Sequence, residues 1–274
     1  MMRIGYFGFF ILLAAPAVWA ANFSMDPWIF IFEPQSGKIS QFVTFKYSGG
    51  ADPSFQGPTP KHVRTAPVPV EITIAAREVS LDGKVIYPSS KGADNFIVYP
   101  AQFILYPGDS KKVQLQWVGS VLPDKEIAYG FIASQLPVNQ AREAEEPKVP
   151  TVSMNIMSRY EGILVVKPAD VKPNIVVDTA YSRADTAGTK MVLILNNRGT
   201  GMQSLKNMMV TAAPLDGAGK LILDRRMDFE AGLANEATNK SIFAGYRRKV
   251  EFPWPRELGV GPTHVSVTFP AGAK

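Results

Sequence analysis

The sequence predicts an all-β chain of two β-sandwich domains, and three observations carry that prediction. Short runs rich in Val, Ile, Phe and Tyr recur along the chain, separated by Gly, Pro, Asn and Asp. Almost no segment has the 3.6-residue periodicity of an amphipathic helix. The 22 prolines and 22 glycines are spread over the whole length, as expected of turns between many short strands.

The first twenty residues stand apart from this pattern. Met1-Met2-Arg3 is a short basic start, Ile4 to Ala15 is apolar, and Val18-Trp19-Ala20 puts small residues at the −3 and −1 positions of a cleavage site. A membrane-spanning helix needs about 20 apolar residues, and Pro16 interrupts this run. Residues 1–20 are therefore expected to be a cleaved signal peptide, with the mature chain starting near Ala21. No later stretch is long enough to span a bilayer as a helix, so no membrane insertion of the mature chain is expected.

The predicted strands then follow in order. Trp28–Phe32, Phe42–Tyr47 and Val70–Ala76 are the early apolar runs; Phe42, Thr44 and Lys46 alternate with Val43, Phe45 and Tyr47, the signature of a half-buried strand. Residues 48–69 carry Gly-Gly, Pro-Ser and Pro-Thr-Pro steps and read as one long loop. Leu81-Asp82-Gly83-Lys84 is a tight turn. Phe96–Tyr99 and Phe103–Leu105 come next, and then Val113, Leu115 and Trp117 alternate with polar residues. Glu126–Leu136 is a further strand, and 139–150 reads as a solvated acidic loop. Thr151 to Lys167 is the longest extended run and ends at Pro168. Ala169-Asp170-Val171-Lys172-Pro173 looks like a boundary, which gives domains 21–168 and 169–274. In the second, Asn174–Asp178, Lys190–Asn196, Met208–Ala213, Gly219–Leu223, Lys249–Phe252 and His264–Phe269 read as strands.

The composition excludes much chemistry. With no cysteine, thiol catalysis, thiolate zinc sites and iron–sulfur clusters are out. The net charge of +5 is scattered with no basic block, which argues against nucleic acid as a partner. His62 and His264 lie about 200 residues apart with no metalloprotease-like spacing. No nucleophile elbow, phosphate loop or dinucleotide fingerprint appears. Asp224-Arg225-Arg226-Met227-Asp228 reads as a solvated strand or turn, and Glu143, Glu145 and Glu146 sit where nothing desolvates them. The expectation is a binding protein with no catalytic residue, cofactor or metal.

The run before Pro168 draws attention. Val152, Met154 and Ile156 share one face, with Ser153, Asn155 and Met157 on the other. An ordinary strand would bury that face in its own core. A run of about 16 residues exceeds the usual five or six, however, and a long open edge is an aggregation hazard unless something is meant to pair with it. Adding such a strand to a partner's sheet is a known mode of recognition.

Several stretches taken together resemble the PapD-like periplasmic chaperones of the chaperone–usher pilus pathway. Tyr99-Pro100, Phe103-Ile104-Leu105 and Pro107-Gly108 are similar to one family segment; Leu122-Pro123-Asp124-Lys125-Glu126 through Ala133 and Leu136-Pro137 are similar to another. Val152–Pro168 resembles the long last strand of the first domain. The resemblance implies two immunoglobulin-like sandwiches joined at an angle, in the periplasm, with pilus or fimbrial subunits and an outer-membrane usher as partners. It makes Val152, Met154 and Ile156 the residues donated to a subunit's incomplete sandwich, with no nucleotide or metal involved. The family's usual basic pair is missing, because Trp28–Glu33 holds no cation and the lysine position falls at Ile163, near Glu161. Arg159, Arg77 and Lys46 are the candidate anchors for a subunit's terminal carboxylate, and the divergence resembles the alternate CS1/CFA-type class. A secreted structural or adhesive pilus component is the alternative reading.

Overall fold

The computed structural model describes residues 23–48, 67–137, 157–186, 188–231, 241–259 and 261–270. The expected signal peptide, nearly all of the 48–69 loop, the 139–150 loop and the residues Val152, Met154 and Ile156 lie outside the described residues.

The first half contains β1 (Phe23–Asp26), β2 (Ile29–Phe32), β3 (Ser40–Tyr47), β4 (Val68–Ala76), β5 (Glu78–Val79), β6 (Val85–Ile86), β7 (Phe96–Tyr99), β8 (Gln102–Leu105), β9 (Ser110–Trp117), β10 (Ile127–Gln135) and β11 (Arg159–Val166). They form a four-stranded sheet in the order β1-β3-β9-β7 and a five-stranded sheet in the order β2-β11-β10-β4-β8, with β5–β6 as a separate hairpin. The chain changes sheets from β1 to β2 and from β7 to β8 within a few residues, and the peptide bonds before Pro27 and Pro100 there are cis.

Alternation decides what is buried. Val43, Phe45 and Tyr47 of β3 and Val113, Leu115 and Trp117 of the adjacent β9 are buried on the inner side of one sheet, as the alternation in sequence predicts. From the other sheet Phe30, Phe32, Phe131, Leu164 and Val166 close onto them. Each such side chain contributes about 1.5–3 kcal/mol on burial. Edge-to-face and tilted aromatic pairs, such as Phe96 with Trp117 at 5.0 Å and Phe45 with Phe103 at 5.1 Å, order the interior further.

The second half contains β12 (Ile175–Asp185), β13 (Gly188–Asn197), β14 (Gln203–Ser204), β15 (Met209–Pro214), β16 (Met227–Glu230), β17 (Ser241–Ile242), β18 (Arg247–Pro253) and β19 (Thr263–Thr268). One sheet runs β12-β13-β18, the facing one β16-β15-β19, and β14 pairs with β17. Met191, Leu193, Leu195, Val210, Ala212 and Val250 are among the side chains of its own separate core.

Three expectations change in detail. Thr151–Lys167 is not described as one strand: regular pairing runs over the eight residues of β11, and Met157 and Ser158 precede it outside any strand. Gly219–Leu223 is a turn with a single bridge from Leu215 to Leu221, followed by a short 3-10 turn. The cause is Asp216, whose carboxylate accepts from the Ala218 and Lys220 N–H groups and captures the donors a strand would need. The expected strand Asn174–Asp178 begins one residue later, at Ile175, and is the start of a strand of 11 residues that continues past a bulge at Val177/Thr179. The four-residue β1 was not expected.

Contacts between the described residues of the two halves include the following. Glu126 N–H donates to Thr200 C=O at 2.8 Å, and its carboxylate accepts from Met202 N–H at 3.0 Å. Ala128 and Val165 pack on Phe243. The β5–β6 turn meets β18, where Lys249 N–H donates to Leu81 C=O at 2.8 Å and its ammonium pairs with Asp82.

Candidate functional site

The long sheet of the first half has a step in its edge. β2 lies parallel to β11 but covers only Ile163–Val166, in register with Ile29–Phe32. Arg159–Gly162 therefore pairs with β10 on one side, and among the described residues no strand flanks it on the other. Ile163 N–H donates to Trp28 C=O and Lys167 N–H to Phe32 C=O, both at 2.8 Å. The backbone alternates, so the N–H and C=O groups of Arg159 and Glu161 point to that same, uncovered side. β11 is thus an edge strand over its first half and a covered strand over its second.

The step exists because the chain changes sheets between Asp26 and Ile29. Gly162 permits the close passage: a Cβ there would come to 2.7 Å from Trp28 C=O. Below the step Tyr160 stacks on Phe23 with ring centroids 4.6 Å apart. Around it lies exposed apolar surface that the sequence did not single out. Trp28 is 56% and Met157 57% exposed, and Ile29 and Ile31 stand on the outer face beside Ile163. Trp28–Phe32 reads in sequence as one apolar run; only the pairing reveals that Phe30 and Phe32 turn inward and the isoleucines outward.

Polar groups line the outer face. Arg159 Nε pairs with Glu161 Oε1 at 3.1 Å, Tyr87 O–H donates to Glu161 Oε2 at 2.9 Å, and the Arg159 guanidinium lies 5.9 Å from the Tyr87 ring centre. Burial, followed by the Glu161 carboxylate, pushes the Tyr87 phenol up to about 12. Nothing in the local sequence marks Tyr87 as part of this site.

The three candidate anchors do not converge. Arg159 lies at the step. Lys46 is exposed on β3, in the other sheet. Arg77 follows β4 at the end of the sheet nearest the second half and is only 5% exposed. Its guanidinium lies 5.3 Å from the Phe243 ring centre, its C=O accepts from Tyr246 O–H at 2.7 Å, and its Nε has no protein partner. Burial lowers its pKa below the ordinary guanidinium value. The position where the resemblance expects a lysine, Ile163, is the register partner of Ile29, so two isoleucines stand side by side there.

Among the described residues the step offers backbone donors and acceptors with no strand beside them, between an apolar rim and an Arg–Glu–Tyr cluster, which suits an extended peptide segment. Among the described residues no cluster of His, Asp or Glu could hold a metal ion, and no helix is long and apolar enough to cross a membrane.

No family model and no curated protein matches the chain. Among solved structures it is similar to the class 5 fimbriae chaperone CfaA, at 14% identity and a TM-score of 0.49 over 92% of this chain and 95% of that one. It is similar to a structure of the CsuC–CsuE chaperone–tip adhesion subunit complex from Acinetobacter baumannii, at 15% identity and a TM-score of 0.46 over 86% of this chain and 88% of that one. A further similarity, at 12% identity and a TM-score of 0.47, is to a structure of the Salmonella enterica SafA pilin in complex with the SafB chaperone, covering 92% of this chain and 99% of that one.

Proposed function

We propose that this chain is a periplasmic chaperone that holds pilus or fimbrial subunits by strand donation and hands them to an outer-membrane usher. The observation that carries this reading is the step at Arg159–Gly162. There, a strand already built into a sheet has no strand beside it on one side among the described residues, next to exposed Trp28, Ile29 and Met157. An open stretch of edge with an apolar rim is a liability in a free protein and an asset in one that covers another protein's incomplete sheet. Val152, Met154 and Ile156 lie a few residues upstream on the same run, and they are the side chains we assign to a subunit's groove. The reading takes residues 1–20 as a cleaved signal peptide and 21–168 and 169–274 as the two domains. It needs neither catalysis nor a cofactor, because pairing and apolar burial supply the free energy.

Arg159 is the cation at the step and the first choice for a subunit's terminal carboxylate. Arg77 is the second, reached from the junction of the halves, and Lys46 the remotest.

The test pairs a melting curve with co-purification of a subunit encoded beside this gene. Met154→Asp with Ile156→Asp is expected to leave folding nearly intact and to abolish capture, because a charge entering an apolar groove costs several kcal/mol. A double variant that folds and still captures the subunit overturns the assignment. One that unfolds outright makes these residues ordinary core.

A further inference from the structure

The segment from Arg77 to Tyr87, which includes the β5–β6 hairpin, touches both the open step and the second half, and a glycine lies at each of these two contacts. At one end the Tyr87 ring lies over Gly130, where any Cβ would collide with the ring. Gly130 pairs with Ala75 and Ile163 in the middle of the five-stranded sheet. Glycine weakens a strand interior and marks close approach of another group; here that group is the tyrosine ring. From this seat the Tyr87 hydroxyl reaches Glu161 at 2.9 Å and the ring lies beside the Arg159 guanidinium.

At the hairpin tip Gly83 takes φ +85° and lies against the Arg248 guanidinium, so that a Cβ would overlap it. Leu81 C=O accepts from Lys249 N–H at 2.8 Å, and Asp82 pairs with the Lys249 ammonium. Lys249 in turn lies 3.6 Å from Glu251, which binds Arg183 at 2.6 Å, so the contact continues across to β12. At the start of the segment, Arg77 is held by Tyr246 and Phe243 of the second half.

We infer that residues 77–87 form a strap that couples the state of the Arg159–Glu161 edge to the orientation of the second half. A group that occupies the step and takes over Glu161 or Arg159 frees the Tyr87 hydroxyl from its acceptor. The ring sits in a socket with no side chain beneath it, so its release moves the hairpin, whose tip bears on β18. By linkage, a shift at β18 changes how readily Glu161 and Arg159 are surrendered. The strap goes beyond the proposed function, and its test uses no partner.

The chain has no cysteine, so Lys111→Cys in one half and Lys206→Cys in the other place two spin labels on the mature chain and nowhere else. Pulsed dipolar spectroscopy of the Tyr87→Phe variant is expected to widen the inter-label distance distribution by about twofold. Amide exchange at Lys249 should accelerate by about tenfold as local opening becomes easier. An unchanged distribution with unchanged Lys249 exchange overturns the strap. Should that variant fail to fold, Asp82→Asn is read from the other end. Looser tip contacts are expected to raise the flip rate of the Tyr87 ring in NMR spectra, and an unchanged flip rate overturns the strap equally.

Discussion

The two halves are both sandwiches, but they are held together by different means. The first is filled with rings: Phe23, Phe30, Phe32, Phe45, Phe96, Phe103, Trp117, Tyr129 and Phe131 lie in one cluster. The second has smaller aliphatic side chains at its centre and is closed by polar groups. Asp178 collects Asn196, Arg198 and Arg247 beside the bulge in β12, while Arg183 and Glu251 pair across the same sheet. Its edge strand β16 carries the charges of Asp228 and Glu230, whereas in the first half no described strand flanks Arg159–Gly162 on one side. A half that keeps an edge open must draw its stability from the interior, and a dense aromatic centre supplies it. The second half adds bonds between polar groups at its periphery.

Substitutions that strike each mechanism sharpen that contrast. Phe131→Ala is expected to cost about 3–5 kcal/mol, because Phe131 is fully buried and stacks with both Phe30 and Phe45. A chemical denaturation curve measures it, and a loss below about 1 kcal/mol would break the comparison. Asn197→Ala should cost about 2–4 kcal/mol, since its side chain is fully buried and its removal strands several backbone groups at once. Ile29→Asp, on the exposed side of β2, should cost less than about 1 kcal/mol yet weaken subunit capture; the same melting and co-purification pair reads both.

A pH series distinguishes the junction from either half. Burial pushes the Glu126 carboxyl up from its usual range, with Met202 N–H and Lys167 acting in the opposite sense. A raised folded-state value means that the contribution to stability is full below the unfolded value and is lost as pH rises through the folded one. Relative to Glu126→Gln, the native chain should therefore gain stability as pH falls through that window, and parallel curves for the two proteins would refute this. The smallest expected effect is Arg183→Ala. It removes a solvent-facing pair with Glu251 and should change stability by less than about 1 kcal/mol, less still at high salt.

Most strands were legible in the sequence because burial on one face leaves a period of two, as in Phe42–Tyr47 and Val113–Trp117. The parts that were not legible depend on pairing between distant segments. Nothing in Trp28–Phe32 tells that its partner strand extends beyond it by four residues and so leaves a step. Tyr87 acquires its place from Gly130 and Glu161, remote in sequence. Leu221 is apolar and flanked by strand-like residues, but Asp216 decides the local backbone. Arg159 and Arg77 are alike as cations in the sequence, and the register puts them at opposite ends of the sheet.

Asn197 bears on how the protein can be divided. Its Nδ2 donates to the carbonyls of Gly201 and Ile242, and its Oδ1 accepts from the amides of Gly199 and Asn174. Asn174 belongs to the connecting segment, which also exchanges bonds between Lys172 and Thr200. The connector is therefore part of the second fold rather than a tether to it. A fragment cut to begin at Ile175 would lose a donor to a buried amide and the whole clasp around Thr200, whereas one beginning before Lys172 keeps both. Whichever product a protease or a designer makes by cutting between these halves, only a cleavage upstream of Lys172 leaves the second half with all of these bonds.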